Sequence, residues 1–315
     1  MSKNRKIIGL IIVIVVFLLI IFTLYAMSDK NENTVKIGYL PTDHDAALFV
    51  ANSTGMFKNA GLNVELYEYN NGGDLMSAMA SGELDVGYVG ITPVISSMSK
   101  GVPVRIVAGA QNEGSGLLSS SSSVKSVSDL KGKVVATPGE SSIQNVLLKY
   151  DLKKHGLSTS DVQSPSMKVS SMNDALKTGS IDAMLTYEPY VTISNKINNQ
   201  NLVESSADIL SDHPCCVVVM NEKFLSNNHN KAKKIIDIHK NATEKIIENP
   251  EAMVQYLPSH IVPNPELEKE SLANIKWVSD LNDTYKENIN NFLNIERDLG
   301  IINDVLPQEK LYAKL

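Results

Sequence analysis

Four short loops carry the side chains best suited to hold a small solute: Pro41-Thr42-Asp43-His44, Gly90-Ile91-Thr92-Pro93, Pro138-Gly139-Glu140-Ser141-Ser142 and Thr186-Tyr187-Glu188-Pro189. A fifth, Asn71-Gly72-Gly73-Asp74, leads into a helix-prone stretch. The first four follow β-type runs and precede helical ones. Open α/β sheets bind ligands at that position, because helix N-termini aim free N–H groups outward there. Thr42, Thr92, Ser141, Ser142 and Asn71 offer neutral hydrogen bonds, Gly90 and Gly139 let a backbone approach closely, and Tyr187 offers a ring face. Asp43, His44 and Glu188 offer charge, and Gln111, at the start of an expected hinge, completes the candidate ligand-binding set. Each also has a plainer role. Asp43, Asp74, Glu140 and Thr92 suit helix N-caps, Glu188 before Pro189 suits a turn, and His44 suits a helix start.

Catalysis finds little support in the residues. No G-x-S-x-G, H-E-x-x-H or C-x-x-C pattern occurs, and the histidines at 44, 155, 213, 229, 239 and 260 lack ligand-like spacing. No metal ligands, cofactor or catalytic residues are expected. The two cysteines, Cys215 and Cys216, are adjacent, too close along the chain for an ordinary bridge, and suit small buried apolar positions of a strand. Arg105 is expected to pair structurally. The formal charge of -6 counts against a nucleic-acid partner.

From Ile7 to Met27 runs a stretch of 21 residues without a charge, long enough for a bilayer core, preceded by Lys3, Arg5 and Lys6. The expectation is an N-terminal transmembrane anchor that leaves the rest of the chain outside the cytoplasm. A cleaved signal peptide, cut near Leu24-Tyr25-Ala26, is the alternative.

Beyond a tether ending at residue 33, the chain repeats itself. Lys36-Ile37-Gly38-Tyr39-Leu40-Pro41 is answered by Lys133-Val134-Val135-Ala136-Thr137-Pro138. Lys58-Asn59-Ala60-Gly61-Leu62 is answered by Lys153-Lys154-His155-Gly156-Leu157, and Ser81-Gly82-Glu83-Leu84-Asp85 by Thr178-Gly179-Ser180-Ile181-Asp182. Three matches in one order at nearly one spacing predict two similar lobes. Periodicity predicts strands over 35–40, 63–69, 85–89 and 102–110, helices over 46–59 and 74–81, and a helix built on Ile143, Val146, Leu147 and Tyr150. Alternation of strand and helix predicts an α/β fold with mixed, mainly parallel sheets. The run Cys215 to Met220 reads as a strand returning to the first lobe, with a two-stranded hinge at 111–116 and 212–216. The expected division is 1–33 for anchor and tether, 34–113 with 214–315 for the first lobe and its C-terminal helices, and 114–213 for the second.

The order GYLPTDHDAALFVANSTGMFKNAGLNVEL, SGELDVGYVGITP, DLKGKVVATPGESSIQNVLLKYDLKKHGL, LTYEPY and HPCCVVV resembles the substrate-binding proteins of nitrate, sulfonate and taurine ABC importers, which share the type II periplasmic-binding-protein fold with thiamine-pyrimidine precursor proteins. The resemblance covers roughly residues 35 to 225. It implies that His44, Gly90 to Pro93, Gly139 to Ser142 and the Glu188-Pro189 turn line a cleft, with Tyr187 standing where the family often has Trp. It implies a monomeric extracytoplasmic binding protein serving a permease and its ATPase subunits, not an enzyme. A pyrimidine-synthase-like enzyme on the same fold is the rival class. The loops lack Lys and Arg, which ranks a sulfonate- or taurine-like solute first. A pyrimidine stacked on Tyr187 or Tyr88 ranks second and nitrate third. An aminosulfonate is expected to set its amine near Glu188.

Overall fold

In the computed structural model of this chain, residues 14–17, 34–120, 124–262 and 264–314 are described. The apolar run 7–27 lies outside them except for 14–17, which are helical. Among the described residues no helix is long and apolar enough to cross a membrane.

The strands form two sheets. β1 (Thr34–Tyr39), β2 (Asn63–Glu68), β3 (Val86–Gly90), β4 (Val104–Glu113), β9 (Pro214–Asn221) and β10 (Ile275–Trp277) make one, in the order β10-β4-β9-β3-β1-β2. The other runs β6-β7-β5-β8, from β5 (Ser115–Ser119), β6 (Val135–Ala136), β7 (Ala183–Tyr187) and β8 (Asn201–Ser205). Each sheet with the helices on its faces is a lobe. β3 is buried along its whole length and β9 nearly so, which is why VGYVG and CCVVVM read as continuous apolar runs rather than alternating ones. The mixed character is as expected, but the parallel majority is not. β1 pairs in parallel with β2 and β3, and β6 with β7, whereas β9, β4, β10, β5 and β8 all enter by antiparallel pairing. The returning strand β9 is the physical reason: it inserts between β3 and β4 with reversed direction.

Local chemistry accounts for the other differences. The expected 46–59 helix is cut into Ala46–Ser53 and Met56–Asn59 because Gly55 takes φ 74°, a left-handed conformation that interrupts the helical backbone. β10 lies inside a stretch that reads as helical, and three residues are too few to show alternation. The helix Ile143–Lys154 falls where its apolar face places it, with Ser142 accepting from Asn145 N at 3.1 Å as N-cap.

The chain passes between lobes twice, from β4 through Gly114 to β5 and from residue 213 into β9. Glu113, Gly114 and Asp212 all have positive φ, at 63°, 77° and 58°. Glu113 N donates to His213 O at 3.2 Å and Asp212 N to Glu113 Oε1 at 2.8 Å, so the two crossings are tied together. The sequence division assigns the C-terminal helices to the first lobe. His229–Glu248 packs against 46–53 and β4. Pro265–Ala273 instead also meets the second-lobe helix Tyr190–Lys196, with Lys196 and Glu270 paired at 2.8 Å.

Candidate functional site

A cavity of about 420 Å³ opens between the two sheets. The first lobe supplies Leu40, Thr42, His44, residues 70–73, Gly90, Pro93, Cys215 and Cys216; the second supplies residues 138–144, Ser166 and Tyr187. Three helices begin at its wall: Gly72–Ser81, N-capped by Asn71; Ile91–Ser99, N-capped by Gly90; and Ile143–Lys154, N-capped by Ser142. Their unpaired N–H groups and dipoles favour negative charge in the space they share. Among the described residues that line it there is no Lys or Arg, and the one carboxylate, on exposed Glu140, sits among them.

Of the expected site residues, Thr42, His44, Asn71, Gly90, Gly139, Ser141, Ser142 and Tyr187 line this cavity, and Asp43, Thr92, Gln111 and Glu188 do not. Thr92 is buried and donates to Glu296 Oε1 of the helix Asp283–Asp298 at 2.5 Å. Gln111 is buried in β4 opposite Cys216, its amide without a hydrogen-bond partner among the described residues. Asp43 accepts from Ser271 Oγ. The Glu188 carboxylate is occupied from several sides: it accepts from Thr192 N (2.9 Å), Thr192 Oγ1 (3.0 Å) and Asn274 Nδ2 (2.9 Å), and Ser271 Oγ, whose proton goes to Asp43, lies 3.2 Å from its Oε2. It caps the 190–196 helix and fastens it to 265–273, which leaves the place expected for a ligand amine taken by protein donors. Tyr88, the alternative stacking ring, is also buried away from the cavity, with its hydroxyl 3.2 Å from His239 Nδ1.

The fastening is electrostatically unusual. Asp43, Glu188 and Glu268 are all buried and close together: Asp43 raises both glutamates, while a hydrogen bond from Glu268 lowers Asp43. Burial, then Asp43, pushes Glu188 up to about 7. Burial, then Asp43 and Glu188, pushes Glu268 up to about 10. Burial raises Asp43 too, with His44, Ser271 and Thr42 working the other way. At neutral pH this group therefore holds protons that exposed carboxyls would have released. Thr42 Oγ1 donates to Glu188 O at 2.9 Å and Glu188 N donates to Gly114 O at 3.0 Å, so the same residue joins the lobes through its backbone.

His44 forms the cavity floor with the two cysteines. Its Nε2 is 3.1 Å from Gly114 O, and its Nδ1 is 3.6 Å from Cys215 Sγ and 3.9 Å from Cys216 Sγ. Burial opposes a charge on the ring, but Cys216, Asp43 and Asp45 outweigh it and raise His44 to about 9. The hydrogen bond from Cys215 and burial push the Cys216 thiol well above its ordinary range. Gly114 makes room for the His44 ring: a Cβ there would stand 2.7 Å from His44 Nε2. The ring and the two sulfurs place their ligating atoms within 4.8 Å of one another, a donor set able to hold a thiophilic metal ion. Reading the cysteines as plain core residues misses that both face the cavity. Adjacent strand residues ordinarily point to opposite faces, and the register shifts of β4 against β9 around Gln111 lie beside this pair.

The two mixed sheets with a cavity between them have the fold of solved solute-binding proteins. Residues 28–256 match the NMT1-like family, and the chain belongs to it. It is similar in structure to the alkanesulfonate-binding protein SsuA of Xanthomonas axonopodis pv. citri, solved with MOPS bound (18% identity, 89% of this chain and 98% of that one, TM-score 0.79). The nitrate-binding protein NrtA of Synechocystis PCC 6803 is a further structural neighbour (16%, 86% and 82%, TM-score 0.72). In sequence it is 25% identical over 235 residues to a 4-amino-5-hydroxymethyl-2-methylpyrimidine phosphate synthase of Saccharomyces cerevisiae, 70% of this chain and 68% of that protein.

Proposed function

We propose that the chain is the solute-binding component of an ABC importer and captures a small organic anion or zwitterion, sulfonate- or taurine-like, between its lobes for delivery to a permease and its ATPase subunits. The observation that carries this is the convergence of three helix N-termini and the His44 ring on one cavity walled by both lobes. About 420 Å³ lies in the range of small-molecule pockets and exceeds what a bare nitrate needs. The acidic end of the solute sits toward the helix N-termini and His44. An amine, where present, turns toward Glu140 rather than the committed Glu188. The lobe limits are those of the sequence division, 34–113 with 214–315 and 114–213, and the apolar run 7–27 tethers the protein to the outer side of the membrane as a monomer.

A thermal-shift screen against taurine, alkanesulfonates, nitrate, bicarbonate, aminopyrimidines and riboflavin tests this reading. A bound solute at a hundredfold excess over its Kd stabilises the fold by ~2.7 kcal/mol. A shift confined to uncharged solutes would overturn the anion assignment. A second reading, pyrimidine-synthase-like chemistry, is favoured by the His44, Cys215 and Cys216 donor set in the cavity together with the synthase relative. Turnover of a bound pyrimidine precursor would establish it in place of transport.

A further inference from the structure

The second lobe holds a group of side chains that solute capture does not use. Asp151 lies in the last turn of the 143–154 helix and His155 caps it, so their i, i+4 spacing stacks them on one face. His155 Nδ1 is 3.2 Å from Asp151 Oδ1. Glu204 arrives from β8, at a point where the pairing with β5 shifts register between Leu117 and Leu118, an irregularity of the kind that re-aims a side chain. One ligating atom from each of the three lies within 4.8 Å of the others. Asp151 is 1% exposed, yet neither of its carboxylate oxygens accepts a hydrogen bond among the described residues, and neither does Glu204 Oε2. The Lys154 ammonium is committed elsewhere, to the carbonyls of Asp208 and Ile209. Two facing carboxyls with only the His155 ring beside them, its Nδ1 also 3.0 Å from Asp151 O, are a costly arrangement in a core unless a proton or a cation is held between them.

We propose that Asp151, His155 and Glu204 form a zinc-type divalent cation site that ties the C-terminal end of the 143–154 helix to β8. One imidazole and two carboxylates suit Zn²⁺, whose catalytic and partly open sites use three protein ligands and a water; Ca²⁺ would want six or more oxygens. The two carboxylates balance the charge of the ion, and the helix C-terminus adds a favourable dipole. Tetrahedral bonds of ~2.1 Å set donors about 3.4 Å apart. His155 Nδ1 and Asp151 Oδ1, 3.2 Å apart, stand near that spacing. The His155 side chain, 31% exposed, leaves the cluster within reach of solvent.

The test is isothermal titration of the EDTA-stripped full chain in detergent with ZnCl₂, alongside Asp151→Asn, Glu204→Gln, His155→Ala and the double variant Cys215→Ser/Cys216→Ser, followed by Co²⁺ substitution. The expected result is a site that survives the cysteine double variant, gives Co²⁺ bands without thiolate charge transfer, and weakens more than about 100-fold in Asp151→Asn and Glu204→Gln, exceeding the effect of losing an outer-sphere partner. Melting temperatures of the stripped variants, equal to or above wild type, would show that the loss is not unfolding. Zinc binding that persists in Asp151→Asn and disappears with the cysteines would place the ion in the cavity and overturn the proposal. Absence of binding to the wild type would overturn it as well.

Discussion

Glu188→Gln should flatten the pH dependence of stability. In the wild type the carboxyl titrates near 7 when folded, against an ordinary 4.5. The folded state thus holds a proton that the unfolded chain has released between those values, and stability falls as pH rises through that window. Each unit is worth 1.36 kcal/mol, and the side chain is 2% exposed, so solvent screening is slight. Raising the pH from 5 to 8 should therefore cost about 2.5 kcal/mol through this group, within the coupling it shares with Asp43 and Glu268. Buried His239 and His213, each lowered to about 4 by burial, act in the opposite sense between about 4 and 6.5. The informative quantity is consequently the difference between wild type and variant. The amide that replaces the carboxyl group also gives up one acceptor and loses a roughly pH-independent ~1 to 3 kcal/mol, which offsets the two curves without changing their slopes. Urea unfolding at pH 5, 6, 7 and 8 reads both. Parallel curves, with the offset constant to within about 0.5 kcal/mol, would refute the account of a proton-holding fastening between the lobes.

Three further outcomes follow from the same geometry. Gly114→Ala should lower stability by about 1 to 3 kcal/mol and weaken solute binding, because the φ of 77° disfavours a side chain and the new Cβ meets His44; unchanged melting and affinity would contradict it. Affinity for an anionic solute should fall as pH rises through about 9, where His44 loses its proton, and a pH-independent Kd from 7 to 10 would show the ring is not the cation. Cys215 and Cys216 should alkylate slowly at pH 8, and more slowly still with solute bound, as measured by mass spectrometry, because both are buried at the cavity floor and Cys216 is held protonated.

Much of this architecture is legible in the sequence because strand-end loops sit where helices begin, and that relation survives in the pattern of Pro, Gly and hydroxyl residues. The cavity lining at Thr42, His44, Gly90 and 139–142 follows from position alone. Directions of side chains do not. Glu188 and Thr92 sit in the right loops but turn toward Ser271, Asn274 and Glu296, residues 80 to more than 200 positions away that carry no local signal. The antiparallel insertion of β9 is likewise a tertiary event, since an apolar run reads the same in either direction. Asp151 and His155 show the opposite case: their spacing is visible, but a search for histidine pairs passes over a carboxylate one turn away.

The most direct test of solute capture between the lobes is the binding isotherm of the best anionic solute from the screen, measured on wild type, on His44→Ala from the first lobe and on Ser141→Ala from the second. Each substitution should weaken binding by ~1 to 3 kcal/mol, because each removes a contact that only the closed pair of lobes provides. An isotherm unchanged by either substitution would place the solute within a single lobe and contradict the account.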